Sequence, residues 1–196
     1  PNDLNTLTDK GQLLSKLEYF DEAVEVYQSA LELANSQEKS NLISMIAATY
    51  TEKGEFKPAL DHIDDAIDRT AEDKFKFQKA TIYMAMDKHG KAVTLLDALL
   101  DDNPNHEEIL LNRAESHMAL KQYDLAKEDF STLQSFAPND PRSYYRLAQI
   151  ANKQDQNGEE LTNYTLFKKY VDPESVPAEE LQRVQTRLKQ LQGSKP

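Results

Sequence analysis

Phe77, Leu111 and Tyr145 stand 34 residues apart, and Met84 and Met118 follow the first two by seven. Large side chains at a repeating interval do the chemistry of contact, since aromatic rings contribute area and methionine adapts to irregular shapes. Covalent chemistry has no comparable constellation. The chain has no cysteine, which removes thiolate nucleophiles, disulfides and Cys-ligated zinc. It contains no G-x-S-x-G elbow, no phosphate-cradling glycine loop and no H-E-x-x-H pair. Carboxylates are plentiful, but a catalytic pair needs a pocket and two unlike environments, which spacing alone does not supply. His62, His89, His106 and His117 are scattered, and His62 and His106 read as superficial. The expectation is a chain that is not an enzyme and has no cofactor and no metal.

Composition narrows the partners. Thirty-four acidic residues against 23 basic ones give a formal charge of −11, which repels phosphate backbones, so nucleic acid is not expected as a ligand. An acidic stretch at Asp61, Asp64, Asp65 and Asp68 faces a basic end at Arg183, Arg187, Lys189 and Lys195. This charge axis reads first as a solvated surface that aids solubility. Charged residues make up 29% and hydrophobic residues 39%, the balance of short helices that bury one face. No run of 18 apolar residues occurs, so no membrane insertion by this segment is expected. The start at Pro1, without methionine or a signal-like segment, implies that upstream residues have been removed. Cytoplasm and periplasm both fit.

The elements that position these residues follow from a register. Gly11, Ala47, Ala80, Ala114 and Ala148 recur at intervals of 36, 33, 34 and 34 residues. Ala23, Ala59, Ala92 and Ala126 repeat it, and a column of larger residues follows as Tyr27, Ile63, Leu96 and Phe130. A period near 34 with two helical patterns in each unit predicts stacked helical hairpins. Gly54 and Gly90 lie in or beside polar turns, Pro104 and Pro138 follow second helices, and Asp140-Pro141 reads as an N-cap with a first-turn proline. Asn105 with Glu108 reads as a capping-box pair before Ile109. The sequon Asn163-Tyr164-Thr165 falls on a predicted helix and reads as coincidence.

These columns resemble the tetratricopeptide repeat. Residues 19–31, YFDEAVEVYQSAL, and 123–133, YDLAKEDFSTL, carry the resemblance most closely, and it extends over about residues 4–172. It implies an all-α fold: a right-handed α-solenoid of five helical hairpins plus a C-terminal capping helix, forming one domain over 1–196. The units are expected at about 4–37, 40–72, 73–105, 107–139 and 141–173, with the capping helix at 176–192. His89 and His117 occupy columns where the family places an aromatic, so packed, hydrogen-bonded rings are expected there. In the fifth unit Glu160 stands in the alanine column and Asp172-Pro173 arrives one residue late, which predicts a shifted second helix. Leu161, Tyr164, Phe167 and Val171 keep its apolar stripe. Leu181, Val184, Leu188 and Leu191 then recur at helical spacing, as expected of a cap, or of a helix that docks on another chain.

The resemblance also implies a function, a scaffold that holds a protein or peptide in the groove lined by the first helix of each hairpin. In the first two units that face carries Thr8, Ser15, Ser44 and Thr51, with Met45 beside them. In the later units it becomes apolar, with Phe77, Met84, Leu111, Met118 and Tyr145 as anchors. Asn112, Arg142, Arg146, Gln149 and Lys153 would supply a polar rim. Some members clamp a chaperone's C-terminal carboxylate with Lys and Asn. Here Thr8, Gln12 and Met45 stand at three clamp columns and only Lys74 fits, so that receptor role is not expected. The alternative is an excised regulatory or assembly segment of a larger envelope or enzyme system, binding through its convex face or its ends.

Overall fold

A computed structural model describes residues 3–193, and Lys195 of the basic end lies outside them. The described residues form eleven α-helices and no strand. Five hairpins take them in pairs: α1 (Leu4–Lys16) with α2 (Phe20–Leu31), α3 (Ser36–Lys53) with α4 (Phe56–Thr70), and α5 (Asp73–Ala85) with α6 (His89–Asp102). α7 (Glu107–Ala119) with α8 (Tyr123–Phe136) and α9 (Pro141–Lys153) with α10 (Asn157–Tyr170) follow, and α11 (Ala178–Gly193) is the last helix of the described residues. This is the α-solenoid class, helical hairpins plus a C-terminal helix. The helices gather into two compact units that divide between Leu99 and Leu100, within α6.

The three columns are the buried positions of the fold. Ala47, Ala80, Ala114 and Ala148 are fully buried, as are Ala23, Ala59, Ala92 and Ala126. Tyr27, Ile63, Leu96 and Phe130 fill the third column at no more than 2% exposure. Small residues let paired helices approach, and the large residue takes up the volume they leave. The first hairpin carries this furthest. A Cβ on Gly11 would lie 2.4 Å from Cε1 of Tyr27, so the phenol ring occupies the side-chain space that this glycine lacks.

The turn inside each hairpin is built one way five times. Glu18, Gly54, Asp87, Lys121 and Asp155 take positive φ, between 56° and 83°. The next residue's N–H then donates to the carbonyl five residues back: Tyr19 to Leu14, Glu55 to Tyr50, Lys88 to Tyr83, Gln122 to His117 and Gln156 to Ala151, all at 2.8–2.9 Å. This is a Schellman closure. Only Gly54 supplies the left-handed position with a glycine, and Gly90 lies in the first turn of α6.

Three of the five first helices, α1, α3 and α9, start with side-chain caps. Asp3 accepts from the Thr6 N–H at 2.9 Å, Asp140 accepts from Arg142 at 3.0 Å with Pro141 next to it, and Asn35 with Glu38 forms a reciprocal capping box. The expected Asn105–Glu108 box does not form. His106 takes the N-cap position of α7 with no side-chain cap, because the turn after Pro104 closes through the His106 N–H on the Asn103 carbonyl and delays the helix to Glu107.

The fifth hairpin also differs from the expected shift. The Glu160 N–H bonds the Gln156 carbonyl just as the Ala126 N–H bonds that of Gln122, so α10 keeps the register and the carboxylate sits in the alanine column, 1% exposed. The register holds because the charge is met. Arg187 of α11 donates to both Glu160 oxygens, at 2.7 and 2.8 Å, and Asn152 of α9 donates at 3.1 Å. Burial pushes the carboxyl upward, but these donors more than reverse it and hold it below its ordinary range. Val184 and Leu188 of α11 join Phe167 of α10 and Val171 just after it in one apolar cluster, so the last helix packs on the last hairpin.

Candidate functional site

α7 and α9, the first helices of the fourth and fifth hairpins, turn Leu111, Asn112, Tyr145, Arg146 and Gln149 into one cleft of about 720 Å³. Its far wall comes from outside the first helices: Phe167 and Val171 at the end of α10, Val176 in the connection, and Glu180 in the first turn of α11. All of it lies within the C-terminal unit. Tyr145 and Arg146 stand four and three residues before Gln149, one turn along the same face of α9, and Leu111 and Asn112 line the cleft from α7.

Tyr145 is half-buried on this floor. Its ring lies 5.1 Å from that of Phe167 and 6.1 Å, edge-on, from that of Tyr164, and the Arg146 guanidinium stands 5.9 Å over it. Burial, then the Glu180 carboxylate, pushes the Tyr145 phenol upward, and burial pushes Tyr164 up to about 12. Both phenols are therefore protonated near neutrality. The cations are already engaged. Arg146 bonds Glu115 at 2.8 Å and Gln149 at 3.0 Å, while Arg142 meets Asp140 at 3.0 Å and also Glu107.

The remaining expected residues are distributed differently. Met118 packs beside Ala114, Ala126 and Phe130 in the core of the fourth hairpin, and Lys153 is exposed at the end of α9. In the N-terminal unit, Phe77 and Met84 are half-buried on α5. Met45 lines a separate opening of about 540 Å³ with Ser15, Thr49 and Glu52. There Ser15 donates to Glu52 at 3.1 Å, and the Thr8 and Thr51 hydroxyls bond their own helices at the Leu4 and Ala47 carbonyls.

His117 is a packed ring, 7% exposed, with Nδ1 2.8 Å from Oε1 of Gln122. His62 is not superficial. It is half-buried and stacks on Tyr50 with centroids 5.8 Å apart, because Tyr50 on α3, the other helix of the same hairpin, offers its ring face. Phe167 and Val171 were visible as part of the fifth unit's apolar stripe, but the 34-residue register could not reveal Val176 and Glu180 as cleft residues, since they belong to the segment where the repeat stops. Val176, an isolated apolar residue between Ser175 and Pro177, was the one visible signal. Among the described residues no group of three histidines or carboxylates is placed to hold a metal ion, and no helix is long and apolar enough to cross a membrane.

Two tetratricopeptide repeat models match the chain, one over residues 4–37 and one over residues 83–156. Among solved structures, a tetratricopeptide repeat protein from Parabacteroides merdae is similar over 97% of this chain and 73% of its own, with 19% identity and a TM-score of 0.72. A thermophilic protein of the same repeat type from Thermus thermophilus covers 96% and 98% with 17% identity and a TM-score of 0.68. YrrB, described as having an unusual peptide-binding site, covers 86% and 87% with 17% identity and a TM-score of 0.60. No curated protein matches the chain. At these identities the structural likenesses speak for the fold, and they agree with the repeat models and with the three buried columns: the chain belongs to the tetratricopeptide repeat family.

Proposed function

We propose that this protein is a non-catalytic scaffold that holds a segment of a partner polypeptide in the cleft of its C-terminal unit. The observation that carries the reading is the convergence of Leu111, Asn112, Tyr145, Arg146 and Gln149 on one opening, walled by Phe167 and Val176. Apolar side chains on such a floor anchor a partner, and amide and guanidinium groups around it orient the partner's backbone. Met118 on α7 belongs to the same proposed contact set, and Met45, Phe77 and Met84 are proposed as contacts of the N-terminal unit in its own right. Repeats of this family serve as protein-binding scaffolds, and the peptide-binding site named for YrrB supports the same reading.

The test is affinity capture from the source cell with the wild-type chain, followed by titration of the purified partner. Tyr145→Ala and Phe77→Ala, each checked for folding by circular dichroism, should weaken binding by about 1–2 kcal/mol, while Thr8→Ala should change little. Normal binding by both aromatic variants, together with release of the partner by salt, would move the site to the charged outer surface. A second reading, binding through an end of the chain's fold, draws support from exposed Leu13, Leu17, Tyr19 and Leu33 in the first hairpin. Loss of capture in Leu13→Ser/Leu17→Ser, with Tyr145→Ala unaffected, would favour it.

A further inference from the structure

The cleft of the C-terminal unit has an unbalanced charge. Four carboxylates line it, from Glu108, Glu115, Asp140 and Glu180, against the guanidinium groups of Arg142 and Arg146. The arginines are spent internally, Arg146 on Glu115 and Arg142 on Asp140 and Glu107. Glu108 and Glu180 have no cationic partner among the described residues. Each sits in the first turn of its helix. One comes from α7 and the other from α11, and both border the apolar floor made by Leu111, Tyr145 and Phe167. An anionic peptide would find every cation occupied and two free carboxylates to repel it.

From this arrangement we infer that the segment held by the cleft is a basic-apolar peptide: a large apolar side chain seated on Leu111, Tyr145 and Phe167, with a lysine or arginine beside it that meets Glu108 or Glu180. The inference rests on the reading of the cleft as a peptide site and adds its specificity. The net charge of −11 acts in the same direction by drawing cationic segments toward the surface before they dock. The C-terminal helix thus has a second role. Besides covering the last hairpin, it contributes through Glu180 a selectivity group that the repeats themselves do not carry.

The experiment is selection of a random twelve-residue peptide library displayed on phage against the whole chain, followed by fluorescence anisotropy with the enriched peptides made synthetically. Enriched sequences should place Lys or Arg within two positions of a Leu, Phe, Met or Tyr. Glu108→Gln and Glu180→Gln should each weaken them about threefold, the scale of an exposed ion pair, and the double variant should lose most of their salt dependence. Leu111→Ser and Val176→Ser, both confirmed as folded, should weaken them further. Peptides that lose binding in Leu111→Ser and Val176→Ser, yet show no basic enrichment and bind the double glutamine variant normally, would overturn the inference and leave the cleft as a peptide site. If no peptide is enriched, or if the peptides ignore all four substitutions, the inference falls together with the reading on which it rests.

Discussion

At the scale of single residues the fold depends on complementary volumes and on a few left-handed positions. Gly11 is the sharper case. Its missing Cβ is the space that the Tyr27 ring fills, with 2.4 Å between the ring and where that carbon would lie. Gly11→Ala should destabilise the protein by about 1–2 kcal/mol despite alanine's better helix propensity, because a buried ring has little freedom to retreat. Tyr27→Leu in the same chain should restore part of the loss, and a double-mutant cycle from urea denaturation reads the coupling. Strictly additive effects would show that the two residues do not share this space. Lys121 poses the opposite problem, a side chain held at φ 60° where glycine sits at ease. Lys121→Gly should leave stability unchanged or raise it by up to about 1 kcal/mol, since relief of the left-handed strain exceeds the added entropy of the unfolded chain. A loss above that amount would mean that the lysine side chain has a structural task of its own.

At the scale of elements, the joint between α10 and α11 is the part of the architecture that departs from the repeat. Glu160 is 1% exposed, whereas its partner Arg187 keeps about a third of its side chain in water. The two deletions should therefore differ. Arg187→Ala strands a buried carboxylate and should cost about 2–3 kcal/mol, less than for a wholly buried pair because the arginine is partly solvated. Glu160→Ala restores the alanine of the other hairpins, leaves an arginine that can turn to solvent, and should cost clearly less. Thermal denaturation of the two variants decides the order, and equal losses would remove the ion pair as the reason for the asymmetry. The elements were legible in the sequence wherever a period spoke: five hairpins and their columns follow from intervals near 34 residues, and the final amphipathic helix from the helical spacing of Leu181, Val184, Leu188 and Leu191. Glu160 was legible only as an exception. Nothing in its neighbourhood pointed to Arg187, 27 residues on, because an ion pair between helices leaves no periodic trace. The cleft was half-legible for the same reason. Leu111 and Tyr145 lie in phase, whereas Val176 and Glu180 belong to a connection and a helix start where the period has ended. The left-handed turn residues were hidden too, since glutamate, aspartate and lysine occupy positions where only a glycine would have announced itself.

At the scale of the whole molecule, the same carboxylate makes one region sensitive to acid. Its folded-state affinity for protons is depressed, so the stability it contributes is complete above the ordinary carboxylate range and is lost as pH falls through the folded value. Hydrogen exchange, corrected for intrinsic rates, should show protection in α10 and α11 falling as pH drops through and below the ordinary carboxylate range, ahead of α2 and α4. Glu160→Gln should flatten that local pH dependence. An unchanged profile in the variant would assign the acid sensitivity to other groups. The buried glutamate also bears on how such a chain can lengthen. Copies of an interior hairpin can be inserted by unequal crossing-over, because an alanine at this position accepts any neighbouring helix of the same kind. The fifth hairpin is not interchangeable in that way. Duplicated and followed by another hairpin in place of α11, it would bury its carboxylate without the arginine that α11 provides. A duplication upstream meets no such cost, whereas the last hairpin and its closing helix keep the carboxylate paired only when they move together.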